Sequence, residues 1–436
     1  MPMDFSRYIA RIQTADTCKT FGKIDKVIGM MIESIGPVCK MGDLCKIYSD
    51  DFKNYTYAEV VGFKNNSVLL MPFEELGGIG VGNFVESTGT CMKIPVSEKL
   101  IGRVINAMGQ PIDGGPEIEA AARYEIQSQA ANPLTRPRIH DILEFGIRPI
   151  DGLLTIGKGQ RMGIFAGSGV GKSTLMGMVA RNVKADINVI ALVGERGREV
   201  REFIERDLGP EGMKRSVLVI ATSDQPALQR LKCAMTATTV AEYFKDKGKD
   251  VLLMMDSLTR FAMAQREIGL ATGEPPVARG YTPSIYASMP KLLERTGNFE
   301  KGSITGIYTV LVEGDDVNEP ISDTVRGIID GHIVLSRKIA SRNHYPAIDI
   351  LGSVSRLMND IVTPEQKAAA NKLRNMMSVH EDNYDLVSIG AYKSGTNPEL
   401  DDAIAHMKGI DSFLCQRVDE KMEYNDTVAL MAKAVE

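Results

Sequence analysis

The fold follows from one stretch of sequence, residues 163–174, which reads Gly-Ile-Phe-Ala-Gly-Ser-Gly-Val-Gly-Lys-Ser-Thr. The apolar residues 162–165 predict a buried strand, and the glycine-rich turn after them leads into a helix that begins near Lys172. Glycines let backbone N–H groups approach phosphate oxygens closely, and the helix N-terminus adds a partial positive charge. The pattern is that of a P-loop, and its one departure, Ala166 in place of glycine, falls at the end of the strand.

The P-loop predicts a set of nucleotide-binding residues. The Lys172 ammonium is expected to reach the β- and γ-phosphates, and the Ser173 hydroxyl is expected to bind Mg²⁺. The other residues of the loop that we expect to surround the phosphates are Gly167, Ser168, Gly169, Val170, Gly171 and Thr174. The sequence therefore predicts ATP and Mg²⁺ as the bound groups.

The composition limits the class of protein. The chain has 436 residues, which is enough for two or three domains, and its net charge of −5 argues against a nucleic-acid coat protein. The six cysteines form no CxxC pair, and we expect reduced thiols of a cytosolic protein. Asp4, Arg7 and Arg11 stand where a signal peptide would be apolar, and no run of about 18 apolar residues predicts a membrane span. A partner would have to hold the chain at a membrane.

The amino-terminal part of the chain divides in two. Residues 1–16 predict a short amphipathic helix with Phe5, Tyr8 and Ile9 on one face. This face either packs on its own domain or docks on a partner or an anionic membrane surface. Residues 17–92 alternate short β-rich runs, one of them at 27–32, with glycine-containing turns. This alternation predicts a small β-barrel with a structural or oligomerisation role.

The rest of the chain predicts two further domains. Residues 93–345 begin with a turn-rich connector and continue with the alternating apolar strands and helices of a RecA-like P-loop domain with a parallel sheet. After the P-loop strand, we expect strands at residues 188–193, 217–221, 251–255 and 304–312. Residues 346–436 predict a helical domain, in which a capping box at 363–366 opens one helix. The predicted fold class is therefore multidomain α/β.

Two strand ends carry candidate catalytic carboxylates. The apolar strand at 251–255 ends in Asp256, which is the Walker B pattern, and Asp256 is expected to hold Mg²⁺ directly or through water. Glu195 follows the strand at 188–193 and could polarise the water that attacks the γ-phosphate. Glu199 lies one helical turn later and is the alternative base.

Six segments occur together and in order, and with them the chain resembles the catalytic subunits of rotary ATP synthases. They are residues 166–174, 194–199, 256–260, 273–276, 345–349 and 353–356. Within that superfamily the chain is similar to the flagellar protein export ATPases, which are type III secretion ATPases, over about residues 20–436. The segments 161–173, 278–286 and 387–392 favour the export branch. The acidic run that synthase catalytic subunits carry in their C-terminal domain is missing, with only Glu381 and Asp382 nearby.

The resemblance implies further residue roles. It supports Glu195 as the general base and adds Arg196 as a neighbouring active-site arginine. Tyr345 corresponds to the aromatic residue that stacks on adenine. Arg356 corresponds to an arginine finger that acts in the site of the next subunit. Spacing alone would favour a surface ion pair for Arg356.

The resemblance also implies an assembly and its partners. It implies a ring of six copies that hydrolyses ATP to energise the export of unfolded proteins through a membrane export gate. A stator-like regulator would bind the N-terminus, a central coiled-coil stalk would meet the helical domain, and export substrates would arrive with their chaperones. The implied location is the cytoplasm, at the inner face of the cell membrane through partners.

Four other functions stay open beside flagellar export. They are a secretion ATPase of an injection apparatus, a catalytic subunit of a rotary synthase, a regulatory subunit that binds nucleotide without hydrolysis, and a nucleic-acid translocase. The carboxylate at Glu195 argues against the regulatory subunit, because non-catalytic subunits of this superfamily lack it. The pI near 5.8 and the lack of an aromatic and basic platform in the barrel sequence argue against the translocase, so we expect no nucleic-acid partner.

Overall fold

The computed structural model describes residues 19–75, 77–312 and 319–436. The chain forms two compact units, one of which comprises the residues up to Met92 together with Ile268–Glu274. The other comprises Lys93–Glu267 and Pro275–Glu436. The amphipathic helix predicted at residues 1–16 lies outside the described residues.

The first unit is built on a closed β-barrel. The strands described in it are β1 (Phe21–Ile28), β2 (Met31–Ile35), β3 (Asp43–Tyr48), β4 (Tyr55–Lys64), β5 (Ser67–Pro72) and β6 (Phe84–Cys91). They follow the order β1-β2-β5-β4-β3-β6 around the barrel. Alternate side chains such as Ile24, Ile47 and Leu70 fill its interior, because successive residues of a strand point to opposite faces. The predicted barrel is confirmed, although the run predicted at 27–32 is two strands joined by a turn.

An exposed aromatic cluster on the barrel corrects one argument from sequence. Its rings, whose centroids lie 5.2 to 6.3 Å from their neighbours, are those of Phe21, Tyr48, Phe52, Tyr55 and Phe84. Lys23 Nζ lies 4.9 Å from the centre of the Phe84 ring, and Lys46 Nζ lies 4.5 Å from that of Tyr55. The barrel therefore carries an aromatic and basic surface, contrary to the expectation from its sequence. Barrel closure assembles residues that are far apart in sequence.

The second unit contains a nine-stranded sheet and two small sheets. Its described strands are β7 (Lys93–Val96), β8 (Val104–Asn106), β9 (Ala122–Glu125), β10 (Ile142–Leu143), β11 (Ile156–Gly157), β12 (Arg161–Ala166), β13 (Ile187–Glu195), β14 (Ser216–Thr222), β15 (Asp250–Asp256), β16 (Gly297–Asn298), β17 (Ser303–Leu311), β18 (Gly331–Leu335) and β19 (Ile348–Ser355). The large sheet has the order β19-β18-β12-β17-β15-β13-β14-β8, with β16 paired to β17. The strands predicted after the P-loop strand are all present.

Helices connect and cover these strands. Those described are α1 (Arg148–Leu153), α2 (Lys172–Asn182), α3 (Gly197–Glu202), α4 (Gly209–Met213), α5 (Ala227–Asp246), α6 (Leu258–Ala271), α7 (Pro283–Leu293), α8 (Pro320–Ile328), α9 (Arg337–Ala340), α10 (Met358–Ile361), α11 (Pro364–Asp382), α12 (Tyr384–Ser388), α13 (Pro398–Leu414) and α14 (Tyr424–Ala434). A π-helical segment, Phe203–Leu208, continues α3. Within the described ranges, every helix is too short or too polar to cross a bilayer.

Parallel pairing places the predicted site residues along one edge of the large sheet. β12, β17, β15 and β13 are parallel neighbours, so the strand ends at Ala166, Glu195 and Asp256 face the same way. β19 is the exception, because it runs antiparallel to β18, with Ile348 opposite Leu335 and Ser355 opposite Gly331.

β19 also corrects the prediction that residues 346–436 are helical throughout. Its buried and exposed residues alternate, starting from the buried Ile348 and Ile350. This period of two is that of a strand at a sheet edge. The helical part of the chain begins only after β19.

The C-terminal helices pack on the apolar core that also underlies the sheet. Leu373, Phe413 and Met431 join Leu153 in this core. Gly152 in α1 permits the close approach, because a Cβ atom there would lie 2.8 Å from Phe413 Cζ. The packing explains why these helices share a unit with the sheet.

The predicted capping box at the start of α11 is half formed. Thr363 Oγ1 accepts a hydrogen bond from the Gln366 backbone N–H at 3.3 Å, as expected of an N-cap. The Gln366 side chain instead donates to the Asp151 carbonyl at 3.1 Å and lies buried against α1. Tertiary packing therefore replaces the reciprocal hydrogen bond.

Candidate active site

A cavity of about 670 Å³ opens at the edge of the sheet where β12, β13 and β15 end. It brings together most of the residues that the sequence singled out. Those lining it are Gly167, Ser168, Gly169, Gly171, Lys172, Ser173, Thr174, Glu195, Arg196 and Asp256. The cavity thus combines the glycine-rich loop with both candidate carboxylates.

The loop between β12 and α2 has the backbone shape that the glycine pattern predicts. Gly169 and Gly171 have φ angles of 78° and 88°, in the left-handed region that residues with a Cβ seldom adopt. Gly171 forms the N-cap of α2, so the first-turn N–H groups of this helix face the cavity. Val170 is buried in the core and is not among the described residues that line the cavity, so its place beside the phosphates stays a prediction.

The ammonium of Lys172 lies between two carboxylates. Its Nζ atom lies 2.6 Å from Asp256 Oδ1 and 3.8 Å from Glu195 Oε1. Burial alone would lower the pKa of Lys172, but the carboxylates of Asp256 and Glu195 raise it above its usual value. The Thr309 hydroxyl also donates to Asp256 Oδ1 at 2.6 Å. Lys172 is therefore charged and held at the mouth of the P-loop.

The Glu195 carboxyl has the properties of a general base. Burial and the neighbouring Asp256 carboxylate raise its pKa to about 7, the Lys172 charge opposes this, and a hydrogen bond with Glu199 adds to it. Its Oε1 atom is buried and accepts no hydrogen bond from any described residue. A carboxyl that titrates near neutral pH is well matched to taking a proton from water. Glu199, the alternative base, is the more exposed of the two carboxyls.

Four arginines among the described residues line the cavity, and two of them, Arg196 and Arg260, differ in exposure. Arg196 is largely exposed, and its Nη1 atom lies 3.6 Å from Glu199 Oε1. Arg260 has a buried Nε atom that finds no hydrogen-bond acceptor among the described residues. Sequence reasoning quoted Arg260 within a motif but gave it no role. Its position in the first turn of α6, four residues after Asp256, is the signal that could have revealed it.

A second cavity, of about 870 Å³, adjoins the first and shares Gly171 and Thr174 with it. Tyr345 lines this cavity, and a Cβ atom on Gly171 would lie 3.4 Å from Tyr345 Cε1. The Tyr345 carbonyl accepts the Gln416 N–H at 2.9 Å. The structure therefore places Tyr345 directly beside the P-loop, as predicted for an aromatic residue next to the nucleotide.

Arg356 lies away from the P-loop of its own chain. The backbone N–H of Arg356 donates to the Asp330 carbonyl at 3.0 Å, and the backbone N–H of Asp330 donates to the Arg161 carbonyl at 2.8 Å. Arg161 begins β12, whereas the P-loop follows the other end of this strand, about 16 Å away at about 3.3 Å per residue. Arg356 is not among the described residues that line the first cavity. Its Nη2 atom donates to the Arg326 carbonyl at 3.1 Å.

The predicted Mg²⁺ ligands fit such an ion. Asp256 is 5% exposed and reaches the same cavity as Ser173, which stands in the first turn of α2. Carboxylate and hydroxyl oxygens are hard donors, and Mg²⁺ at phosphate sites takes only one or two protein ligands beside phosphates and water. Among the described residues there is no group of three or more His, Cys, Asp or Glu side chains that could hold a metal ion.

Comparison with known proteins places the chain in a family. The model of the ATP synthase alpha/beta family nucleotide-binding domain matches residues 146–355, and that of the same family's beta-barrel domain matches residues 24–89. The model of the T3SS EscN ATPase C-terminal domain matches residues 362–433. A flagellum-specific ATP synthase of Bacillus subtilis is 55% identical over 421 residues, which cover 96% of each chain. The chain belongs to the ATP synthase alpha/beta family.

Other relatives within this family match over nearly their whole length. A flagellum-specific ATP synthase of Treponema pallidum is 51% identical and covers 98% of this chain and 95% of the relative. A type 3 secretion system ATPase of Xanthomonas euvesicatoria is 48% identical, and the match covers 96% of this chain and 95% of the relative. The assembled ATPase EscN from the enteropathogenic E. coli type III secretion system has a TM-score of 0.91 at 45% identity, covering 95% of this chain and all of that chain.

Membership of the ATP synthase alpha/beta family confirms three predictions. The family itself, the three-part fold and ATP hydrolysis are those expected from the sequence. The roles of individual residues in the two cavities stay predictions.

Proposed function

We propose that the chain is the Mg²⁺-dependent ATP hydrolase of a type III protein export apparatus, and that this apparatus builds the flagellum. The Bacillus and Treponema flagellum-specific relatives, at 55% and 51% identity, support the flagellar assignment over the Xanthomonas secretion ATPase at 48%. An ATPase of an injection apparatus is the second candidate, and the TM-score of 0.91 with EscN favours it.

The two adjoining cavities give the nucleotide its orientation. The phosphates lie on the glycine loop and the N-terminus of α2, where N–H groups and the helix dipole favour negative charge. The adenine lies in the second cavity and stacks on Tyr345, which is 40% exposed and therefore free to receive it. Gly171 and Thr174 line both cavities, so the ribose and the phosphates nearest to it lie beside these two residues.

The chain's own side chains then prepare the γ-phosphate for attack. Lys172 leaves Asp256 and binds the β- and γ-phosphate oxygens, while Asp256 and Ser173 would hold Mg²⁺. Mg²⁺, when bound, neutralises charge that develops on the phosphate oxygens. Glu195 accepts a proton from the attacking water through its Oε1 atom, which accepts no hydrogen bond from the described residues. Arg196 and Arg260 lie on the same wall and add positive charge.

The position of Arg356 carries the proposal that the enzyme is an assembly. Arg356 lies at the opposite edge of the sheet from its own P-loop, which supports a role in the site of a neighbouring copy. A guanidinium at the γ-phosphate strongly stabilises the transition state. One chain carries both Glu195 and Arg356, so a ring of identical subunits contains complete sites. We infer a ring of six, and EscN, a relative in the same family, is also known in an assembled form.

The remaining partners follow from the relatives. EscN has been solved in complex with its central stalk EscO, with a TM-score of 0.88 to this chain, and we propose a corresponding stalk partner here. We also propose a stator-like regulator for the N-terminus, a membrane export gate, and export substrates with their chaperones. The chain would then work in the cytoplasm, at the inner face of the cell membrane.

Mixing two inactive variants tests the shared site. Lys172→Ala removes a P-loop cation but keeps the finger, whereas Arg356→Ala removes the finger but keeps the P-loop. Neither variant alone should hydrolyse ATP, and a mixture should regain activity because one chain's finger serves the other chain's P-loop. Specific activity of the wild type should also rise with concentration as its measured mass moves from one chain to a ring.

A control variant and two possible outcomes decide whether the site is shared between subunits. Arg201→Ala removes an exposed arginine that is paired with Glu205 at 2.8 Å on α3, and it should leave activity nearly unchanged. No recovery at any mixing ratio, in rings of confirmed mass, would show that Arg356 does not act between subunits. A constant specific activity of monomers would also contradict the proposal.

A further inference from the structure

Helix α8 lies between the cavity of its own chain and the arginine offered to the next one. Glu319 immediately precedes α8, is 7% exposed and lines the first cavity. At the other end of α8, the Arg326 carbonyl accepts the hydrogen bond from Arg356 Nη2 at 3.1 Å. The nine residues of α8 span about 13 Å, so one short rigid element touches both places.

The start of α8 is held by a residue in an unusual backbone conformation. Arg279 has a φ of 51°, which is rare for a residue with a Cβ atom. Its Nη1 atom lies 3.8 Å from Glu319 Oε1, on the wall of the cavity. A non-glycine residue held in the left-handed region indicates that the surrounding structure fixes its orientation. The Arg279 guanidinium lies near the start of α8, and its side chain is half exposed.

The end of α8 is held by the strand that leads into the P-loop. The guanidinium carbon of Arg326 lies 5.9 Å from the centre of the Phe165 ring on β12. The last carbonyls of a helix have no partner within the helix, and a cation is favourable there, so the Arg326 carbonyl is a natural support for Arg356. Asp330 fixes the backbone of Arg356 and is itself bound by Arg161 Nε at 3.1 Å.

We propose that α8 is a positioning element that sets the orientation of Arg356 from the cavity of its own subunit. Arg279 holds its start through Glu319, and the Arg326 carbonyl supports the finger at its end. This inference rests on the proposed function, in which Arg356 acts between subunits.

The mixed ring gives a test that a merely structural role would not pass. In a mixture of Lys172→Ala and Arg356→Ala chains, each productive site takes its P-loop from the Arg356→Ala chain and its finger from the Lys172→Ala chain. Arg279→Gln is placed in one chain or in the other. In the finger donor it should lower kcat roughly tenfold with KM for ATP unchanged, since small misplacements of a catalytic group cost up to about 100-fold. In the P-loop donor it should change kcat less than about twofold.

Three further variants define the result. Arg279→Lys in the finger donor should recover part of the loss, and Arg201→Gln there should cause none. Equal losses from Arg279→Gln in either chain would overturn the inference. So would a loss from Arg326→Ala in the finger donor without one from Arg279→Gln, because that would confine the effect to the finger's immediate neighbour. An inactive mixture before any change at Arg279 would instead overturn the proposed function. Ring mass and unfolding midpoint are measured for every variant.

Discussion

The ammonium of Lys172 lies 2.6 Å from Asp256 Oδ1, so the residues expected to hold phosphate and Mg²⁺ hold each other. Each partner can leave only if it gains a new one, because both groups are largely buried. A nucleotide that arrives with Mg²⁺ supplies both new partners at once. The pair therefore favours the entry of the nucleotide as its Mg²⁺ complex.

The variant Asp256→Asn separates the release of Lys172 for phosphate binding from the binding of Mg²⁺ by Asp256. We expect Mg²⁺-free ATP to bind this variant roughly 10- to 150-fold more tightly than the wild type, because the charge-assisted hydrogen bond that ATP must break contributes about 1.5–3 kcal/mol. Hydrolysis should be lost. Titration with ATP in the presence and absence of a chelator measures both affinities, and equal Mg²⁺-free affinities would contradict the role given to the pair.

Glu195→Gln should bind ATP but lose hydrolysis by roughly 100- to 10,000-fold, because an amide cannot accept the proton of the attacking water. Single-turnover hydrolysis after a binding measurement separates the two effects. Glu199→Gln is the matched variant and should retain most of the activity. The reverse pattern would assign the base to Glu199.

The pH dependence should report Glu195. Burial and the Asp256 carboxylate raise its pKa to about 7, so below that pH it is protonated and kcat/KM should fall. The same shift makes folding less favourable as pH rises from the ordinary value of 4.5 to about 7, because the folded state keeps the proton longer. Glu199→Gln removes a charge that raises this pKa, so the acidic limb should move to lower pH. An unmoved limb would mean that another group titrates.

Tyr345→Ala should raise KM for ATP about 2- to 10-fold and leave kcat nearly unchanged, since a stacked ring contributes about 0.5–1.5 kcal/mol to binding. Tyr345→Phe keeps the ring and should behave as the wild type. Steady-state kinetics with ATP checks this. A loss confined to kcat would mean that Tyr345 acts in the hydrolysis step and does not bind adenine.

Gly152→Ala should destabilise the second unit by about 1–3 kcal/mol, because the added methyl group overpacks a filled core. The new Cβ atom would lie 2.8 Å from Phe413 Cζ, and both Gly152 and Phe413 are buried. Gly327→Ala is the control, because nothing lies within 4 Å of its Cβ position and it sits within α8. Thermal unfolding compares the two. Equal thermal unfolding midpoints for the two variants would show that the core around Gly152 accommodates the added methyl group.

Local pattern was enough to predict the main features of the site. The glycine spacing and the runs of apolar residues located β12, α2 and the strand ends at Glu195 and Asp256, because a buried parallel strand needs a continuous apolar run. Resemblance then added Tyr345, which the structure places beside Gly171. These features depend on residues close in sequence or on a motif of fixed spacing.

Features that depend on tertiary contact escaped prediction. The short alternating run of β19 was too weak to separate from the helices after it, so the direction of that strand was missed. The aromatic cluster on the barrel joins Phe21 to Phe84, and only closure of the barrel brings them together. The Lys172–Asp256 pair and the buried Nε atom of Arg260 likewise depend on contacts between helices and strands that are distant in sequence.

The reversed direction of β19 has a consequence for the living cell. This strand carries Tyr345 toward its own nucleotide cavity at one end and Arg356 away from it at the other. Under the proposed function, a newly made subunit that drifts alone holds ATP without cleaving it. ATP hydrolysis then begins only where subunits assemble at the export apparatus, and it stops when the assembly dissociates.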